Sequence, residues 1–304
     1  MQFEEPVVTP TGDGGFLRVR MGLAYDGAPF RGWAVQPGLL TVQGVLEEAL
    51  EMILRRPVRL TVAGRTDAGV HSRGQVVHWD TTEAEWERVG RGNVDGAAQT
   101  LQRRLRGTLA KVLGNLSGAV VVHSVELAAE GFDARFSALW RRYSYRIADD
   151  ARNWDPLGRS LVLWHKKALD TEAMNRGAAQ LLGLNDFRSY CKPREGATTV
   201  RELQRFDFER GADGIITAHI QADAFCHNMV RALIGATLTV GEGAEPPPWL
   251  WERLLERKRD SRSVLAPAHP LVLEYVAYPE DDQLKARADQ TRAVRDEGRP
   301  GAFA

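Results

Sequence analysis

Twice along this chain, and in a related order, the hydrophobic period switches from two residues to about 3.6 and back. "FLRVRMGLAYDG" alternates apolar and polar residues and ends in Asp-Gly, the pattern of a strand and turn. From Val42 to Ile53 the apolar residues fall at 42, 45, 46, 49, 50 and 53, one face of a helix. Two strand-like runs follow, "VRLTVAG" and "GQVVHWDTT". The order then recurs, beginning with the strand-like "SLVLWHK". A helix is expected over 172–184, with Met174, Ala178, Leu181 and Leu182 on one face. A hairpin comes next, with Ile216, Ala218, Ile220, Ala222 and Ala224 on one side, then an amphipathic helix from near His227. "PPWLWERLLERK" and "PLVLEYVAY" complete it as helix and strand. This order predicts two α+β halves instead of the strict strand–helix alternation of a parallel sheet.

Composition narrows the function classes. No apolar run approaches the roughly 20 residues of a membrane span, and "MQFEEPVVTPTGDGG" has neither the basic start nor the apolar core of a secretory signal. The expected location is the cytoplasm. Cys191 and Cys226 have no CxxC spacing and no histidine at zinc-ligand distance, so both read as buried thiols. Forty basic residues balance forty acidic ones, so a polyanion site has to come from local clustering. "LQRRLRGTLAK" and "RFSALWRRYSYR" each hold four basic residues and no acid. The second interleaves Phe136, Trp140, Tyr143 and Tyr145, a combination suited to phosphate contact and base stacking. Residues 86–107 read as a helical insertion or a mobile loop, and the tail after about 280 as a frayed helix or disordered chain.

In "VAGRTDAGVHSRGQ" a strand stops abruptly at a polar, glycine-bearing turn. An aspartate in a turn ordinarily binds nearby backbone N–H groups. The other reading sets Asp67 at a strand end facing a cleft, where Arg65 and a further cation favour its ionised form, as a nucleophile or base needs. His71 and His78 do not complete a metal set around it, so no metal is expected.

"GRTDAGVHSRGQVVHWD" resembles, nearly letter for letter, the signature of the tRNA pseudouridine synthase A family. The likeness extends from about residue 17 to 279 through "YDGAPFRGW", "TVQGVLEEAL", "GFDARFSALWRRYSYRI", "LLGLNDFRSYC" and "AFCHNMVRALIG". Ala34, Asn228, Ala232 and 270–273 depart from the family pattern without touching the motif residues that carry the chemistry. The resemblance implies two similar halves, 17–130 and 131–279, on an extended mixed, mainly antiparallel sheet with a central cleft, flanked by an N-terminal extension (1–16) and a charged tail (280–304). It implies isomerisation of uridine to pseudouridine at positions 38 to 40 of the tRNA anticodon arm, by a homodimer without metal or organic cofactor.

Carried over by motif, Asp67 is the nucleophile and Arg231 its ion-pair partner. Tyr143 stacks on the target base and assists removal of its C5 proton. Arg65 accompanies the flipped nucleotide, Phe225 lines the pocket, and Arg141 and Arg142 contact the RNA. Residues 86–107 exceed the family norm and are expected to form a surface loop in preference to an RNA contact through Arg103, Arg104 and Arg106. Two other readings are an RNA-binding protein without catalysis and a glycoside-type hydrolase; the latter needs a second carboxylate, which the motifs do not supply.

Overall fold

The computed structural model of the protein describes residues 16–192, 198–260, 262 and 264–297. The expected N-terminal extension, except Phe16, and the last seven residues lie outside them. In the first half, β1 (Phe16–Tyr25) leads to α1 (Val42–Leu54), the two-residue β2 (Thr61–Val62), β3 (His71–Thr82), α2 (Glu83–Gly90), α3 (Ala97–Leu113) and β4 (Val120–Leu127). The second half runs β5 (Trp140–Ala148), β6 (Leu163–Trp164), α4 (Thr171–Ala179), β7 (Gly183–Asp186), β8 (Val200–Arg210), β9 (Ile216–Ala222), α5 (Met229–Gly241), α6 (Trp249–Leu255) and β10 (Leu271–Ala277), followed by α7 (Leu284–Glu297).

The strands form one sheet in the order β4-β1-β3-β10-β5-β9-β8-β7, with β2 on β3 and β6 on β5. The doubled sequence pattern reappears as doubled pairing. β1 lies between antiparallel β4 and β3, and β5 between antiparallel β10 and β9. Among the described residues only β3–β10 and β5–β6 pair in parallel. The seam between the halves is β3–β10, registered at Val272↔His71 and Leu273↔Ser72, while Leu273 also faces Tyr143 of β5. The end of the Asp67 turn and the Tyr143 strand are therefore fixed to the same two residues of β10.

Each half has its own core. Val42, Val45, Leu46, Ala49, Leu50 and Ile53 of α1 are buried, and Thr41 caps the helix by accepting from the Gly44 N–H. Full burial of such side chains is worth about 1.5–3 kcal/mol each. In the second half Ile216, Ala218, Ile220 and Ala222 are completely buried, and Ala224 lies past the strand end.

Four expectations change. Residues 86–107 are not a surface loop: α2 opens with a Thr82/Glu85 capping box, and Trp86, Val89, Leu101, Leu105 and Leu109 are buried. Gly90, Gly92 and Gly96 lie where one helix ends and the next begins, and they mask the helical spacing on either side. The described part of the tail is an ordered helix, anchored by buried Leu284 and Ala288. Helix 172–184 ends at Ala179, because Gly183–Asp186 is taken into the sheet beside β8. Finally, α5 is buried on nearly every side, so its sequence shows little polar face. No helix among the described residues is long and apolar enough to cross a membrane.

Candidate active site

The turn between β2 and β3 is held residue by residue. Ala63 N–H donates to Val76 O, and Gln75 Nε2 donates to Gly64 O. The Thr66 hydroxyl meets Tyr25 Oη at 2.8 Å, and Thr66 O accepts from Trp33 N–H. Val70 N–H closes the turn on Asp67 O. The 26–33 loop wraps so closely that a Cβ on Gly27 would lie 2.0 Å from Val70 O, and one on Gly32 (φ 91°) 3.1 Å from Thr66 O. On its outer side the turn is open: a Cβ on Gly64 would meet nothing within 4 Å.

Held this way, Asp67 keeps its carboxylate 28 % exposed. Arg231, in the first turn of α5, donates from Nη1 to Asp67 Oδ2 at 3.3 Å, and its Nε–H donates to Ala266 O at 2.8 Å. The nucleophile candidate comes from one half and its cation from the other. Tyr143 is 8 % exposed, with its ring edge-on to Phe225 at 5.2 Å. Burial raises the Tyr143 phenol well above its ordinary value, and Tyr25 and the Asp67 charge push the same way. The phenol therefore stays protonated. Tyr145, two residues along the same strand face, is fully buried and donates to Pro267 O, propping the loop that receives Arg231. Arg65 is exposed on the Asp67 turn.

The two adjacent arginines of β5 part company. Arg141, expected among the RNA contacts, is only 6 % exposed and spends its guanidinium inside the protein: Nη1 donates to Asp223 O, and Nη2 to Ala63 O and Arg135 O. Those carbonyls belong to the segments leading into the Phe225 loop, the Asp67 turn and β5. Arg142 falls on the opposite face of the strand from Tyr143, with its guanidinium over Trp140, so the structure does not bring it to Asp67. Cys191 and Cys226 are not separate thiols; they form a disulfide with Cα atoms 5.7 Å apart. Sequence spacing could not pair residues 35 apart that meet only through the fold.

Two residues go unnoticed in the sequence. His227 presents Nε2 3.7 Å from Asp67 Oδ1, on the side away from Arg231, with its side chain 47 % exposed. Arg259, half-buried, has an enclosed Nη1 without a hydrogen-bond partner among the described residues. Burial lowers its pKa first and the Arg231 charge lowers it further. For His227 a signal existed in its position four residues before Arg231, one helical turn; for Arg259 there was none. His71 is occupied structurally, accepting from Gly27 N–H at Nδ1 and meeting Ser160 O at Nε2. Among the described residues no group of three or more His, Cys, Asp or Glu side chains could hold a metal.

Known proteins bear directly on this arrangement. Residues 178–279 match the family described as tRNA pseudouridine synthase. The tRNA pseudouridine synthase A of Streptomyces griseus is 50 % identical over 284 residues, spanning 92 % of this chain and 95 % of the relative. That of Leifsonia xyli is 50 % identical over 285 residues (91 % and 97 %), and that of Bifidobacterium longum 41 % over 307 (91 % and 99 %). With half its residues shared along nearly its whole length, this chain belongs to the tRNA pseudouridine synthase A family.

Proposed function

We propose that the protein is an isomerase that converts uridine to pseudouridine in the anticodon arm of tRNA, at positions 38 to 40, with Asp67 as nucleophile. The observation that carries this reading is the Asp67–Arg231 pair, formed across the two halves beside Tyr143 and Phe225. A carboxylate held by one guanidinium and still partly open to solvent suits covalent attack on a nucleotide carbon. The phenol of Tyr143, kept neutral, offers an aromatic face to the extruded base. Extrusion costs a few kcal/mol, which Arg65, exposed on the same turn, offsets by engaging the displaced nucleotide or its phosphate. Residues 17–130 then supply the nucleophile, and 131–279 the aromatic pocket and the counter-charge. The partner is tRNA, bound by a homodimer in the cytoplasm.

Release of tritium from tRNA labelled at uridine C5 tests the reading. The wild-type protein should release it, and Asp67→Asn should not, with tRNA affinity changed by no more than a few fold. Binding by both proteins without release by either would mark a binding protein on an enzyme's scaffold.

A further inference from the structure

Joining C5 of the base to the ribose is not the end of the isomerisation, because C5 still carries its hydrogen and the ring cannot regain its C5=C6 double bond until a base removes that proton. The acceptor has to lie near Asp67. If the carboxylate attacks C6, C5 is the neighbouring atom; if it attacks C1′, C5 becomes bonded to that carbon. In either case C5 ends one bond from the attacked atom.

Arg231 and His227 are the ionisable side chains paired with Asp67 among the described residues. A guanidinium only donates. The Tyr143 phenol stays protonated and is a poor acceptor. His227 is placed differently: its Nε2 stands 3.7 Å from Asp67 Oδ1, Arg231 holds the other oxygen, and the half-exposed imidazole borders the space a base would enter. Its backbone is fixed, since His227 O accepts from Lys192 N–H and the neighbouring Phe225 ring packs on Tyr143. Catalytic contacts are commonly long before substrate binds.

We propose that His227 is the general base that removes the C5 proton, an inference resting on the reading of Asp67 as the nucleophile toward a tRNA uridine. The unprotonated Nε2 takes the proton, and the C5–H pair becomes the C5=C6 double bond. The pair displaced from C6 moves to N1, which takes up a proton from solvent, or returns to the departing Asp67 carboxylate. Charge and atoms balance in both routes.

The test is single-turnover tritium release from C5-labelled tRNA by wild type, His227→Ala and His227→Gln, repeated with C5-deuterated tRNA and with added imidazole. His227→Ala should bind tRNA within a few fold of wild type and release tritium about 100-fold more slowly or worse. It should show a deuterium isotope effect larger than that of wild type and regain rate with imidazole. His227→Gln, which keeps the size and polarity, should be equally slow. Wild-type rates in either variant, or a slow His227→Ala with no isotope effect and no imidazole rescue, would overturn the proposal. Release by Asp67→Asn would instead sink the nucleophile reading while His227 could still pass its own rescue test. No release by the wild type would overturn both.

Discussion

Replacing Arg141 by lysine would leave one ammonium to serve three backbone carbonyls, at Ala63, Arg135 and Asp223, that its guanidinium now joins. A hydrogen bond from a charged donor is worth about 1.5–3 kcal/mol. Arg141→Lys should therefore lower unfolding stability by about 2 kcal/mol or more in urea titrations and reduce turnover with it, because Ala63 leads directly to the Asp67 turn. Arg142→Lys, on the other strand face, should cost less than about 0.5 kcal/mol. In the sequence these two arginines are interchangeable neighbours. Only the pairing of β5 with β9 and β10 decides which turns inward, and that information is non-local. Asp67, Tyr143 and Arg231 were legible because the motifs are specific, whereas the 3.7 Å approach of His227 depends on how α5 is set against the first half.

Between elements, β3 is tied to the 131–137 loop and to α7 by a polar knot. His78 Nδ1 accepts from Ala134 N–H, Arg18 pairs with Asp80, and Asp133 takes Arg292 at 2.9 Å, with that guanidinium over the Phe136 ring. Burial holds the His78 imidazole down to about 4, and the Arg18 charge adds to it, against opposing pulls from Asp133 and Asp80. Since unfolded histidine titrates near 6.5, the unfolded chain binds a proton in this window that the folded one refuses, so stability is full above 6.5 and falls as pH drops toward 4. The Asp133 carboxyl is held below its ordinary value despite burial, by the Phe136 N–H and the charges around it, and acts in the same direction. Urea midpoints measured from pH 7 to 4 should decline, and His78→Phe should flatten the decline. The Cys191–Cys226 link gives a second check: protein denatured without reductant should titrate no free thiol, and two after reduction. Elements with sustained periodicity, such as α1 and β9, could be read in advance. α2 and α3 could not, because three glycines near their junction look like loop chemistry, and the order of α7 comes from distant partners that a charged sequence does not reveal.

For the whole molecule, equal numbers of acidic and basic residues mean that any attraction for tRNA comes from how charge is distributed, not from its sum. Affinity should fall with salt, with a log–log slope of about 0.7 to 0.9 per phosphate contacted. A flat response in filter binding would argue against a tRNA partner. Light scattering should return twice the chain mass if the homodimer proposal holds. The seam strand β10 also has a bearing on the protein's synthesis. It spans Leu271–Ala277 of a 304-residue chain, yet it lies between β3 and β5 and is the strand that joins the sheet carrying the Asp67 turn to the strand carrying Tyr143. A ribosome must make nearly the entire polypeptide before nucleophile and pocket can face each other across a continuous sheet. An unfinished or prematurely terminated chain would hold most of the catalytic side chains and still leave tRNA unmodified, so activity begins only when translation of the molecule is almost complete.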